Sequence, residues 1–384
     1  MRSRTRVVGG LVAVVVAIAA VVGAVMLSGG DGTDAPGAIV AVQDDHLPVD
    51  PIETIPGRLD MIADTGVTTT RVDLHWAEIA PSRPDDPRDP ADPAYDWGRA
   101  DLIMLGLAER GITPIVSAYN TPPWASGGLV EPGIVANTLA PDPEDYADFM
   151  SALATRYSGN TTSPGGDPLP EVRRFEIWNE PNLGGFLKPQ VEDGVRVSLD
   201  NYAAMATAAY APIKAANPDA IVIAGVGGPR SSTSPTGVGA VEWARGLVER
   251  DIPLDAYSQH VYPSAAPNEP TEVVPSWSSL GRFLDEIDAF RPGLPLYITE
   301  AGYTTADTAF RASSVTEEEQ AQYLEEIYDL PQLKSGRIKA VVWFNLQDNV
   351  NWPAGLLRED LSRKPSYERF LEAVEGQEGA VLTD

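Results

Sequence analysis

Eight short runs rich in β-branched residues, at residues 38–43, 69–74, 113–118, 173–178, 220–225, 256–260, 296–299 and 340–345, alternate with longer amphipathic stretches. This alternation constrains the fold most, because it builds parallel strands joined by helical crossovers. Parallel strands are covered on both faces and read as apolar runs, as IVIAGV at 221–226 and KAVVWF at 339–344 do. The helices predicted between them cover 99–110, 143–157, 201–216, 241–250, 276–290, 316–330 and 365–374. The first stops at Gly111, the second begins after an Asp, and Thr316-Glu317-Glu318-Glu319 is a capping box. A doubly wound nucleotide-binding sheet would want a Gly-rich phosphate loop after an early strand, and none is present. The expectation is therefore an α/β fold, a single (β/α)8 TIM barrel over 38–384. Such barrels often exceed about 250 residues as one unit.

Ahead of the barrel, Arg2, Arg4 and Arg6 precede an uncharged apolar run at 7–27. That run can cross a bilayer at about 20 residues per span and exceeds the roughly 7–15 residues of a signal-peptide core. The positive-inside tendency keeps the arginines cytoplasmic and exports the remainder of the chain. The small residues at Val22-Gly23-Ala24 keep cleavage open. Residues 1–27 thus read as a signal anchor or signal peptide, and 28–37 as a flexible Gly/Asp-rich linker. The working part is expected outside the cytoplasmic membrane, tethered or secreted. A formal charge of -27 repels phosphate backbones and argues against nucleic acid as a partner. It also disfavours polyanionic substrates unless a local basic pocket overrides it. The absence of cysteine excludes disulfides, thiolate catalysis and thiolate metal sites.

Barrel chemistry sits at the C-terminal ends of the strands, so the strand assignments also map a site. The fourth run ends in Asn179-Glu180-Pro181-Asn182 and the seventh in Glu300-Ala301-Gly302-Tyr303. These runs lie on opposite sides of an eight-stranded ring, so the two carboxylates can face each other. Glycosidic cleavage uses such a pair, an acid to protonate the leaving oxygen and a carboxylate for the oxocarbenium-like carbon. One glutamate alone at a strand end is more often half of a structural ion pair; two with these flanks favour chemistry. Pro181 predisposes Glu180 to an extended backbone, and Asn179 is placed to donate to a sugar 2-hydroxyl. His260 and Tyr262 share a side if the sixth strand stays regular that far. Asn120 ends the third run within reach of a hydroxyl, and Trp124 and Trp352 sit in loops suited to further subsites. His75 and His46 also fall near strand ends. They could gather with Asp44, Asp45 or Asp73 around a metal, but no ligand spacing supports one, and no metal or cofactor is expected.

The motifs FEIWNEPN at 175–182 and ITEAGY at 298–303 resemble the clan of (β/α)8 glycosidases with acid/base on strand four and nucleophile on strand seven. The NEP signature is nearest the cellulase-type family five. The fuller EIWNEPN is similar to the β-xylosidase and exopolysaccharide-hydrolase family thirty-nine. The resemblance spans about 38–374. It implies a retaining double displacement with Glu180 as acid/base, Glu300 as nucleophile and Asn179 at the 2-hydroxyl. Arg71 matches the arginine that holds the nucleophile. Its charge would lower the Glu300 pKa, while partial burial would raise that of Glu180. His260 and Tyr262 match residues that contact nucleophile and sugar. Trp343 matches a tryptophan under the reacting sugar, where an apolar ring face meets C–H groups. Two departures stand out: Tyr119-Asn120 where the relatives often carry a histidine, and the Pro/Asp-rich segment 83–95, expected to reshape one rim. The expected function is hydrolysis of a neutral β-linked oligo- or polysaccharide by a monomer. A transglycosylase using the same residues and a non-catalytic glycan-binding barrel are the alternatives.

Overall fold

The computed structural model describes residues 37–127, 138–309, 311, 313–377, 380 and 382. The apolar run at 7–27 and the linker up to residue 36 lie outside them. Among the described residues no helix is long and apolar enough to cross a membrane. The strands are β1 (Ile39–Gln43), β2 (Thr69–His75), β3 (Thr113–Tyr119), β4 (Arg174–Ile177), β5 (Ile221–Gly227), β6 (Ala256–Gln259), β7 (Leu296–Ala301) and β8 (Ile338–Phe344). Each pairs in parallel with its sequence neighbour, and β8 returns to β1 to close the barrel. The helices are α1 (Ile55–Ala63), α2 (Trp76–Ile79), α3 (Gly98–Glu109), α4 (Pro143–Arg156), α5 (Ser198–Ala216), α6 (Ala240–Glu249), α7 (Leu280–Ile287), α8 (Glu317–Tyr328) and α9 (Pro365–Glu375).

All eight expected strands are present, with ends shifted by a few residues. Helices α1 and α2 were not anticipated. In α1 the Pro56-Gly57 pair reads as a breaker, yet Pro56 sits in the first turn, where the missing N–H costs nothing. A small hairpin, Val191–Glu192 with Val195–Arg196, decorates the β4–α5 connection. The capping box forms as expected, Thr316 Oγ1 accepting from the Glu319 N–H at 3.1 Å and Glu319 from the Thr316 N–H at 2.8 Å. Segment 83–95 does not line the large pocket at the barrel mouth. Arg83 and Arg88 tie it to Asp145 and Asp148 on α4.

Inward-facing side chains form two layers. The lower is apolar, with Ile39, Ala41, Ile115, Ile223, Ala256, Tyr297, Ala340 and Val342 packed together. Two residues further along the same strands the layer turns polar, with Gln43, Ser117 and Ser258 beside Arg71, Asp73, Glu176 and Thr299. Bulges in β7 and β5 interrupt this alternation near the strand ends. In β7, Ile298 pairs with Val341 and Ala301 with Trp343, so Thr299 and Glu300 together oppose Val342. The extra residue lets both face the barrel axis, Thr299 bonding Ser258 and Glu300 bonding Arg71. In β5, Ala224 pairs with Tyr257 and Gly227 with Gln259. Gly225 sits in this bulge at φ 87°, where a Cβ would lie 2.4 Å from the Tyr257 ring, so only glycine fits.

Candidate active site

Glu180 and Glu300 meet at the barrel mouth. An oxygen of each carboxylate and a ring nitrogen of His260 all lie within 4.8 Å of one another. The side chains are 9% and 11% exposed, on the wall of a pocket of about 750 Å3, within the range of small-molecule sites. Different backbone devices deliver them. Glu300 arrives by the β7 bulge. Glu180 arrives because β4 stops at Ile177 and the chain turns through Trp178 at φ 70° and Glu180 at φ 39°. The extended backbone expected ahead of Pro181 is not adopted. The Leu183 N–H closes a turn on the Glu180 carbonyl at 2.9 Å, and Asn182 bonds both Gly228 and Val238. These contacts outweigh a conformation that costs on the order of 1–3 kcal/mol. Gly228 leaves the space: a Cβ there would sit 2.9 Å from the Glu180 carboxyl carbon.

Arg71 organises the polar layer. Fully buried, it donates Nε to Glu176 at 2.6 Å, Nη1 to Glu300 at 2.8 Å and Gln43 at 2.9 Å, and Nη2 to Asn179 at 2.7 Å, with Asp73 at 3.1 Å. Asn179 lines the pocket, and with its Oδ1 held by Arg71 its amide nitrogen is the group free to donate. The Tyr262 hydroxyl donates to the second Glu300 oxygen at 2.9 Å. His260 Nδ1 lies 2.8 Å from Glu180 and 3.4 Å from Glu300. Regular pairing of β6 ends at Gln259, yet Val261 N–H bonds the Glu300 carbonyl, which keeps His260 and Tyr262 aimed at the same carboxylates. The cluster of Glu180, His260 and Glu300 could also chelate a cation, but the 2.8 Å contact already engages its facing atoms. The alternative gathering of His46 and His75 does not occur, since His46 pairs with Asp50 and His75 with Glu78.

The electrostatics depart from expectation. Burial dominates at Glu300 and pushes its carboxyl up to about 7, against the opposing pull of His260 and Arg71. Burial also opposes protonation of His260, but Glu300 and Glu180 outweigh it and raise its pKa. A reaction needing ionised Glu300 therefore gains rate as pH rises through neutrality. We expect the acid limb of kcat/KM to have its midpoint near pH 7; a midpoint below pH 5 would contradict this placement of Glu300.

Four other expected residues are not on this pocket. Trp343 is fully buried, faces the helices beside Val341, and donates Nε1 to the Ala354 carbonyl at 3.0 Å. Alternation along β8 turns Phe344 to the pocket instead, and Trp352 stands with its ring 4.9 Å from Tyr262. Trp124 bonds the Ala80 carbonyl and packs on Trp76. Asn120 turns through φ 71°, its carbonyl taking the Ala77 N–H, and Tyr119 lines the pocket in its place. His75 lines a smaller neighbouring cavity of about 260 Å3 with Asp73 and Arg99. Sequence reasoning also missed Gln43 and Glu176 as partners of Arg71. Their inward parity, two residues above apolar lower-layer positions in β1 and one below the strand end in β4, was the available signal.

The cellulase family, glycosyl hydrolase family 5, matches the chain over residues 49–349. The chain belongs to that family. In an alignment 199 positions long, which covers 45% of this family 5 chain, it is 29% identical to a β-xylosidase of Geobacillus stearothermophilus, of which the match spans 35%. The chain thus corresponds to about a third of that relative. Among solved structures, a family 39 glycoside hydrolase from the gut symbiont Bacteroides cellulosilyticus WH2 superposes with a TM-score of 0.58 at 22% identity, over 89% of this chain and 64% of that one. A glucosidase from Croceicoccus marinus gives 0.64 at 18% identity, over 90% and 69%. These two likenesses concern the fold.

Proposed function

We propose that this family 5 protein is a retaining hydrolase of β-linked oligo- or polysaccharides, with Glu300 as nucleophile and Glu180 as general acid/base. The observation that carries the reading is the approach of the two carboxylates to within 4.8 Å. Facing oxygens this close suit direct attack by one carboxylate while the other protonates the leaving group, the arrangement of a retaining pair. Glu300 attacks the anomeric carbon while Glu180 protonates the departing oxygen. Glu180 then takes a proton from the water that opens the glycosyl-enzyme. Arg71 and Tyr262 hold both oxygens of Glu300 and fix its line of attack, and Asn179 meets the 2-hydroxyl. The β linkage is taken from the relative named a β-xylosidase. The apolar run at 7–27 behind three arginines fits action on glycans outside the cytoplasmic membrane.

Product stereochemistry tests the reading. Proton NMR of early hydrolysis should show the β-anomer first; an α-anomer would mean inversion and overturn the mechanism. In Glu180→Ala, a substrate with a poor leaving group should slow by about 10^2–10^4-fold, while one with a strongly acidic phenol is much less affected. Equal losses on both would remove Glu180 from the acid role.

A further inference from the structure

The charged groups that line the pocket are matched one by one, with a single exception. Glu300 has Arg71 and Tyr262, Glu180 has His260, Asp73 has Arg71 and Tyr119, and Asp45 has Asn345 and Asn349. His46 has Asp50. Arg311, between β7 and α8, has none of this. Its Nη2 donates to the Pro263 carbonyl at 2.7 Å, its Nε has no partner, and it makes no ion pair among the described residues. Two more deeply buried arginines do hold carboxylates, Arg58 with Asp44 at 2.5 Å and Arg156 with Asp101 at 2.5 Å. In a chain with 55 acidic and 28 basic residues a counter-ion was easy to supply, yet none of the described residues supplies one here. Burial without one also pulls the guanidinium below the usual arginine pKa.

The surroundings suit an anionic ligand. The Arg311 guanidinium lies 5.9 Å from the Trp352 ring centroid, and the indole Nε1 of Trp352 has no acceptor either. Trp352 in turn meets Tyr262, whose hydroxyl touches Glu300. Arg311 and Trp352 thus line the pocket in a row that leads through Tyr262 to Glu300. A planar guanidinium fork matches a carboxylate with two parallel bonds, which uncharged hydroxyls cannot reproduce.

We propose that the pocket takes a β-linked uronic acid residue whose carboxylate binds Arg311. The proposal rests on the hydrolase reading above and revises the expectation of a neutral glycan. The acidic exterior still argues against a polyanion, so the carboxylate belongs to an isolated or terminal uronate.

Aryl β-D-glucuronide and β-D-galacturonide, set against β-D-glucoside, β-D-galactoside and β-D-xyloside with the same phenol, test it. The wild-type enzyme should favour a uronide over its neutral counterpart by about 100-fold in kcat/KM, the low end of what a buried, hydrogen-bonded charge pair contributes. Arg311→Gln should lose about that factor on the uronide and change less than about threefold on the neutral glycosides, with its thermal midpoint retained. Equal or better wild-type cleavage of the neutral glycosides, or an equal loss on both classes in Arg311→Gln, overturns the uronate proposal alone. No cleavage of any of the five overturns the hydrolase reading with it.

Discussion

Glu300→Gln should retain no more than about one part in 10^5 of wild-type kcat/KM, the scale on which removing a nucleophile collapses a concerted site. The amide oxygen can still accept from Arg71 and Tyr262, so the pocket keeps its shape and the loss is chemical. A fluorosugar that traps the covalent intermediate should label Glu300 in the wild type, seen by peptide mass spectrometry, and label nothing in the variant. The same substitution should change stability in the opposite direction. The folded-state pKa of Glu300 is about 7 against an ordinary value of 4.5. Folding therefore favours the protonated carboxyl, and the wild type loses stability as pH rises from about 4.5 through 7. The variant carries no such charge and should be more stable above pH 7 by on the order of 1–3 kcal/mol, with the gap vanishing near pH 4. Undiminished hydrolysis, or a stability gap independent of pH, would contradict the assignment.

Arg71→Met should cost both stability and activity. It leaves Asp73, Glu176 and Glu300 without their shared counter-charge, and takes a donor from Gln43 and Asn179. Removing one partner of a buried ion pair costs about 3–5 kcal/mol, a large share of the about 5–15 kcal/mol that holds a protein folded. The abandoned carboxylates relieve the loss by taking up protons, so the deficit in urea denaturation should shrink below pH 5. Arg71→Lys should recover little, because a point charge on a flexible stem cannot fork to four side chains at once. An unchanged unfolding midpoint in Arg71→Met would show that the layer does not depend on this residue.

Much of the fold was legible because strand identity is a local property. Apolar runs such as 221–226 declare themselves, and helix starts such as Thr316 carry their caps with them. The pairing of Glu180 with Glu300 was legible because a closed ring sets strand seven three places round from strand four, so their ends share the barrel mouth. Trp343 shows where that reasoning stops: strand membership does not tell which face a residue takes, and here alternation sends it outward. The conformation of Glu180 was hidden because contacts from Asn182, far along the chain from Gly228 and Val238, override the preference set by Pro181. The sign of the Glu300 shift was hidden as well. Arg71 was visible in the motif, whereas the degree of burial that outweighs it is a property of the whole pocket. Arg311 passed unnoticed because its distinction is a missing partner, which no sequence displays.

The bulge in β7 makes the aim of Glu300 a discrete property rather than a graded one. Substitution at Thr299 or Ala301 can alter packing around the carboxylate, but the direction in which residue 300 points is written in the count of residues between two rungs of the ladder. Removing one residue there would not loosen the site by degrees. It would turn a side chain from the axis to the helices in a single step, so an ancestral or engineered barrel without that extra residue has no continuous path of small adjustments to this arrangement.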